Sequence, residues 1–357
     1  MNFIEKNIEK KQKMGIKSNF TSFLRKMCPS AFVPVHLSTF AYEKIAIDIS
    51  LYMHKYKSIC GERWPSAFIN LIASLRRNEI HCVFIFDGKA PDEKSTEHEK
   101  RRNNKENNAK KISELDQAFE QYKKTGVISS VIREMYARRR SPVHAKLLRK
   151  GSNSDNDIDM DWVEKKINQK KNSLYEVLAS DFDLAKTLFK MLGVPWYTSP
   201  SEAEKQCAKL CIDGTVHAVL TEDSDILAYG APILLPKIDT SADTCVAIYH
   251  DIVLEELDLD NDQFLDLCIL CGTDYNENIK GIGSKRAYDD IIRVYGSIDE
   301  YADQTGKDVS ILNHHRTREL FRTFDEEENA IGKIPYCSQP NYEKFQQFLV
   351  DRGFNLN

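Results

Sequence analysis

The chain has 357 residues, 41% hydrophobic and 29% charged, enough to bury a sizeable core in one or two domains. A net charge of −4 argues against a general nucleic-acid coat, and nine cysteines without paired spacing fit a reducing compartment. No run reaches the length of a membrane span and the first residues, MNFIEKNIEKKQK, lack an apolar signal segment, so a soluble intracellular protein without membrane contact is expected.

In chain order, residues 1–13 read as a polar extension. From Met14 to about Asp87 the pattern is helix, strand, helix, strand, with buried strands expected at IAID (45–48) and HCVFIFDG (81–88) and one long helical stretch running from SLYMHKY to FINLIASLRRN. Residues 94–150 are highly charged with helical spacing. They hold 16 Lys/Arg against 7 Asp/Glu, a net of +9 that leaves −13 for the rest of the chain. A basic segment on an acidic body suits an enzyme gripping a polyanion, although a solvated helix face explains such a run as well. GSNSDNDIDMDW (151–162) reads as a linker without fixed structure. Asp155, Asp157 and Asp159 mimic the start of a calcium loop, but Met160 replaces the required glycine and Lys166 the closing glutamate, which excludes one. An amphipathic helix within 181–197 stops at Gly193, and SPSEAEKQCAKLCIDG forms a second one that ends at Gly214. The strand HAVL then leads into TEDSD (221–225), and from about residue 250 the pattern is helical. Alternating strands and helices imply a mainly parallel sheet. Cys268 and Cys271 have half a zinc spacing but lie in the apolar FLDLCILCG, so buried packing is expected of them.

The chemistry concentrates in seven acids: Asp48, Asp87, Glu202, Glu204, Asp223, Asp225 and Asp274. Several follow strands whose carboxyl ends converge on one crevice in an open α/β sheet. Taken singly most have plain explanations. Asp87-Gly88 makes a turn, Ser201-x-x-Glu204 makes a capping box, and Asp223, Asp225 and Asp274 open polar loops. Asp48, flanked by apolar residues, is harder to explain without a partner. Together they would repel one another unless hard cations neutralised them, and Mg²⁺ near a phosphate is the usual answer.

The chain resembles the flap endonuclease/XPG family of structure-specific 5′ nucleases from Met14 to about residue 350. MGIK (14–17), IAIDIS (45–50), VFIFDGKAP (83–91), SPSEAEKQCA (199–208), TEDSDILAYG (221–230) and LCILCGTDYNENIKGIGSKRA (267–287) carry the resemblance. It implies a PIN-like α/β nuclease fold: a twisted, mainly parallel sheet flanked by helices, a helical cap insertion and a C-terminal helix–hairpin–helix (H2TH) region. The expected divisions are 14–105 and 179–250 for the nuclease core, 106–178 for the cap with an unstructured insertion at 151–175, and 251–357 for the H2TH region and C-terminal segment.

The resemblance further implies that the seven acids hold two Mg²⁺ ions, with Mn²⁺ able to substitute, and that Lys94 and Arg101 contact the scissile phosphate. Seven residues apart, these two would share a helix face. His54 matches a base-stacking position. Gly281, Ile282, Gly283, Lys285 and Arg286 match a hairpin that holds duplex backbone without reading sequence. The implied partner is branched or flapped DNA, cut by a monomeric enzyme in replication or repair.

Three departures accompany the match. Residues 1–13 precede the usual MGI start, in which the glycine packs close to the site, so translation from Met14 or trimming is expected. The stretch from Asp87 to Glu202 is longer than in flap endonucleases, and the C-terminal residues lack a Q-x-x-L-x-x-F-F sliding-clamp motif. The competing readings are a 5′→3′ exonuclease of the same family, a PIN-like ribonuclease, and a non-catalytic DNA-junction binding protein.

Overall fold

A computed structural model describes residues 15–17, 19–89, 91–137, 158–172, 174–325, 331 and 333–353. They form two compact units: one from Met1–Met53, Pro65–Ser95 and Leu178–Asn357, the other from His54–Trp64 and Thr96–Val177. Among the described residues no helix is long and apolar enough to cross a membrane. The expected translation start and the 1–13 extension lie outside the described residues.

The first unit is built on an eight-stranded sheet: β1 (Phe32–His36), β2 (Lys44–Asp48), β3 (His81–Phe86), β4 (Trp196–Thr198), β5 (Ala218–Leu220), β6 (Ile233–Leu235), β7 (Ile238–Asp239) and β8 (Thr244–Tyr249). The order is β1-β8-β6-β5-β2-β3-β4, with β7 pairing on β8. From β6 to β4 every pair is parallel. β2, β3 and β5 lie at its centre and are buried along nearly their whole length, which is why they read as unbroken apolar runs. The far side ends in the antiparallel pair β1–β8. β1 carries Pro34, which a strand tolerates at a sheet edge where its missing N–H is not needed. That proline and the alternating burial of β1 hide it from a search for apolar runs.

The helices of this unit are α1 (Phe20–Met27), α2 (Ile49–Cys60, which runs on into the second unit) and α3 (Trp64–Arg77). A 3₁₀ turn at Gly61–Arg63 breaks what the sequence suggested was one long helical stretch. The second unit contributes α4 (Ser95–Thr125), α5 (Ser130–Ala137) and α6 (Met160–Asn172). The first unit resumes with α7 (Ala179–Met191), α8 (Ala203–Ile212), α9 (Asp225–Ala228), α10 (His250–Leu257) and α11 (Asn261–Cys271). Phe189 of α7 stacks on Phe84 of β3 with ring centroids 4.0 Å apart, fixing the helix to the sheet. α11 opens on a capping box between Asp260 and Gln263 and is buried from Phe264 to Cys271. Cys268 and Cys271 pack in that core.

Beyond α11, Gly281 has φ +86°, and α12 (Ser284–Arg286) leads into a π-helical turn (Ala287–Ile292) and α13 (Arg293–Tyr295). α14 (Ile298–Thr305), α15 (His314–Arg322) and α16 (Tyr342–Asp351) complete the unit. Between α15 and α16 the backbone returns to the sheet side, where Ser338 N–H donates to Gly193 O at 2.8 Å and Asn341 N–H to Met191 O at 2.8 Å.

The second unit has a separate small core of Leu115, Ala118, Phe119, Ile128, Ile132, Val163 and Ile167. Residues 160–172 are helical, contrary to the expected unstructured insertion at 151–175. Val163 and Ile167 stand one helical turn apart and bury against α4 and α5, giving an otherwise charged segment its anchor. Lys171–Asp116 at 2.5 Å and Lys123–Glu164 at 3.1 Å add ion pairs between α6 and α4. The rest of that stretch, 151–157 and residue 173, lies outside the described residues.

Candidate metal centre

The seven acids sit where the parallel strands end. Asp48 is the last residue of β2, and Asp87 directly follows β3. Glu202 is the N-cap of α8, after β4, and Glu204 lies in that helix's first turn. Asp223 and Asp225 follow β5, Asp225 as the first residue of α9, while Asp274 lies just beyond α11. All but Asp87 are buried, at 7% exposure or less.

Local bonds set each carboxylate. Ser50 N–H donates to Asp48 Oδ1 at 2.9 Å. Asp87 Oδ1 accepts from Ala203 N–H at 2.8 Å, and Asp87 Oδ2 accepts from Ser50 Oγ, so one carboxylate ties the ends of β2 and β3 to the start of α8. The capping box expected at Ser201 does not form, because the helix starts one residue later than that box needs. The Glu204 side chain reaches Lys94 instead. Asp225 N–H donates to Asp223 Oδ1 at 2.9 Å. The Asp274 loop is braced by Asn276, which accepts from Thr273 Oγ1 at 2.7 Å and donates to Ile269 O at 2.9 Å.

Lys94 draws the acids together. Its buried ammonium lies 2.5 Å from Glu202, 2.7 Å from Glu204 and 3.7 Å from Asp274. Burial alone would lower its pKa, but Glu204 and Glu202 together hold it well above the ordinary lysine value. One lysine is too little charge for seven acids. Burial, with Asp87 and Glu204 nearby, pushes Asp48 well up. Burial likewise raises Asp223, helped by Glu204, and Asp225, helped by Asp274. Glu202 is pushed up to about 7 by burial and by Glu204, against the pull of Lys94. Neither oxygen of buried Asp225 finds a hydrogen-bond partner of regular geometry among the described residues, although the Asp274 backbone N–H eases its charge.

Buried, mutually repelling carboxylates with a single lysine among them are the donor set a hard divalent cation requires. Among the described residues no three of these acids bring oxygens within 4.8 Å of one another. Mg²⁺ keeps several waters and takes only one or two carboxylates directly, so it does not need three of them in contact. Asp48, Asp87, Glu202, Glu204, Asp223, Asp225 and Asp274 therefore fit a divalent-cation centre by placement and by unmet charge.

Residues 14–108 match the profile of the XPG N-terminal domain and residues 193–274 that of the XPG I-region. The chain is 31% identical to the probable RAD2-like endonuclease 369L of Invertebrate iridescent virus 6, over 96% of its own length and 89% of that protein. It is also 31% identical to flap endonuclease 1-A of Sorghum bicolor, over 96% and 83%. The chain belongs to the flap endonuclease/XPG family. Solved structures share the fold. The catalytic core of Rad2 in complex with DNA substrate has a TM-score of 0.60 at 17% identity, covering 92% of each chain. Flap endonuclease-1 from Methanococcus jannaschii has a TM-score of 0.54 at 21% identity, covering 90% of each.

Two glycines explain how the XPG-family motifs draw the centre closed. Gly15 has φ +80°, and a Cβ there would lie 2.3 Å from Asp223 Oδ1. Ile16 N–H donates to Ser224 Oγ at 3.0 Å, pinning the MGI segment beside that acid. A Cβ on Gly88 would lie 2.0 Å from Ser199 O, and Gly88 N–H donates to Ser201 O at 2.7 Å, which holds the Asp87 turn against the Glu202 loop.

The remaining expected residues divide. Lys94 closes a 3₁₀ turn (Asp92–Lys94) ahead of α4, so the two-turn helical spacing to Arg101 is not realised. Arg101 is half-buried on α4 and His54 exposed on α2, both in the second unit. At the hairpin, a Cβ on Gly281 or Gly283 would meet nothing within 4 Å, which leaves that backbone open to approach. Ile282 is half-buried, Lys285 pairs with Asp289, and Arg286 donates to Gly281 O at 3.1 Å.

Sequence reasoning missed Tyr275 and Tyr229. Tyr275 donates its hydroxyl to Glu202 Oε2 and is hydrogen-bonded to the hydroxyl of Tyr229, while Lys94 lies 5.1 Å from the centre of the Tyr275 ring. Both tyrosines are buried. The clue was available: Tyr275 directly follows Asp274, and a tyrosine buried beside acids needs a partner for its hydroxyl.

Proposed function

We propose that the chain is a Mg²⁺-dependent, structure-specific 5′ DNA nuclease that hydrolyses phosphodiesters near single-strand/double-strand junctions. The observation that carries this reading is the fully buried carboxylate of Asp225, held with six further acids about the carboxyl ends of parallel strands with Lys94 as the cation bonded among them. Asp48, Asp87, Glu202 and Glu204 would serve one cation and Asp223, Asp225 and Asp274 a second, with Glu204 shared. When bound, two such ions activate the attacking water and offset charge on the phosphate and leaving oxygen. The chain's own groups do the rest. Asp87 stays exposed at the rim, where substrate arrives. Tyr275 holds Glu202 in one orientation. Lys94 supplies a fixed positive charge beside the acids and would orient the scissile phosphate, the role also proposed for Arg101. The open Gly281-Ile282-Gly283 turn, followed by the amide-bearing start of α12, would hold duplex backbone. Rad2 was solved with a DNA substrate, and a shared fold supports carrying DNA over to this chain.

Cleavage of labelled 5′-flap, nicked, gapped and RNA substrates with Mg²⁺ tests the reading. Flap substrates are expected to give one fragment released near the junction. A ladder of mononucleotides would make the enzyme a processive 5′→3′ exonuclease instead. Asp223→Ala is expected to keep DNA binding and lose cleavage, and wild-type turnover in that variant would remove the site assignment.

A further inference from the structure

We propose that Asp299, His314 and His315 form a second metal site, specific for a transition ion of the Zn²⁺ type. Asp299 stands in the first turn of α14, and the two histidines open α15. His314 Nε2 lies 2.8 Å from Asp299 Oδ1, and His315 Nε2 lies 3.5 Å from the same oxygen. The three ligand atoms fall within 4.8 Å of one another, the one such trio of histidine, cysteine or acidic groups among the described residues. A tetrahedral Zn²⁺ with bonds of about 2.0–2.1 Å sets its ligand atoms about 3.3 Å apart. The two separations from Asp299 Oδ1 bracket that value.

The carboxylate is oriented for the task. Its other oxygen, Oδ2, is 2.6 Å from Arg318 Nη1. Arg318 is anchored in turn on both oxygens of Asp266, at 2.6 Å each, and Asp266 Oδ2 also accepts the Ile298 N–H at 2.9 Å. A guanidinium on the outer oxygen fixes the ligand and leaves Oδ1 directed at the imidazoles, the usual outer support of a metal carboxylate. The two imidazole rings lie 4.1 Å apart between centroids, so both face the same carboxylate oxygen's side of the helix start. Two imidazoles with one carboxylate select Zn²⁺, Co²⁺ or Cu²⁺ over Mg²⁺, whereas the seven-acid centre offers only oxygen.

The site has a structural consequence. Arg316, next in α15, bonds Glu93 at 2.7 Å, and Glu93 precedes Lys94. A metal fixing the first turn of α15 thereby steadies the turn that presents Lys94. The proposal stands whether or not the nuclease reading does.

The test uses the full chain with Mg²⁺ in excess, which keeps the acids filled. Zn²⁺ alone is titrated by calorimetry and Co²⁺ by visible absorption. The wild type is expected to take up one Zn²⁺ and to show the intense bands of four-coordinate Co²⁺. His315 is exposed, so His315→Ala should keep its metal-free melting curve while Zn²⁺ affinity falls at least about tenfold and the Co²⁺ bands disappear. Equal Zn²⁺ binding by both proteins, or no uptake by the wild type, would overturn the proposal.

Discussion

Replacing Gly15 by alanine probes how closely the first described residues are fitted to the proposed metal centre. At φ +80° an alanine is strained by about 1–2 kcal/mol before any contact is counted. The new Cβ would stand 2.3 Å from Asp223 Oδ1, and 2.7 Å from both the Ser224 nitrogen and its Oγ. Comfortable separation needs roughly 1 Å more. Retreat of the Gly15 segment breaks the Ile16–Ser224 hydrogen bond, and retreat of Asp223 moves a proposed cation ligand. Misplacing a reacting group by about 1 Å costs on the order of 100-fold in rate, or about 2.7 kcal/mol of barrier. Single-turnover cleavage of a 5′-labelled flap with Mg²⁺ should show that loss. Fluorescence anisotropy with Ca²⁺ in place of Mg²⁺ should show DNA affinity nearly unchanged, because the hairpin and basic segment are untouched. A wild-type cleavage rate, or a loss wholly in DNA affinity, would refute the reasoning.

Lys94→Met removes the buried ammonium from Glu202 and Glu204, and breaking a buried ion pair from one side costs about 3–5 kcal/mol. Urea melts in EDTA should show that loss, and Mg²⁺ should restore much of it; unchanged stability in EDTA would contradict the role given to Lys94. The pH dependence follows from Glu202, pushed from an ordinary 4.5 up to about 7. The folded chain holds that proton more tightly than the unfolded one, so its stabilisation is full below pH 4.5 and is lost as pH rises through about 7. This group alone accounts for about 3 kcal/mol. The rise in Tm on adding Mg²⁺ should therefore be small at pH 5 and large at pH 8, and an equal rise at both would exclude the linkage.

Much of the centre was legible because its acids follow strands that leave clear marks. IAID and HCVFIF are buried on both faces, and an acid at the end of such a run stands out. Other parts carry no local mark. β1 and β8 alternate in burial and pair across more than two hundred residues, a relation visible only in the assembled sheet. The helical charges that made Lys94 look like a partner of Arg101 could not reveal that it ends a 3₁₀ turn and points at Glu202 and Glu204. Polarity made 151–175 look unstructured, yet two apolar residues one turn apart suffice to dock α6. The Tyr229–Tyr275–Glu202 chain joins residues from three separate loops and helices, so spacing alone gave no reason to group them.

The stitching of the chain's first described residues to its later ones bears on synthesis. Ile16 bonds Ser224, Lys17 N–H bonds Gly272 O at 2.8 Å, and β1 finds its partner only in β8. Contacts so distant along the chain form slowly and late. A growing polypeptide thus carries the basic 94–150 segment out of the ribosome long before Asp223, Asp225 and Asp274 exist to complete the acid set. Chains that stop before Asp274 would lack the complete acid set, so competence to cleave would arrive only after that residue is made.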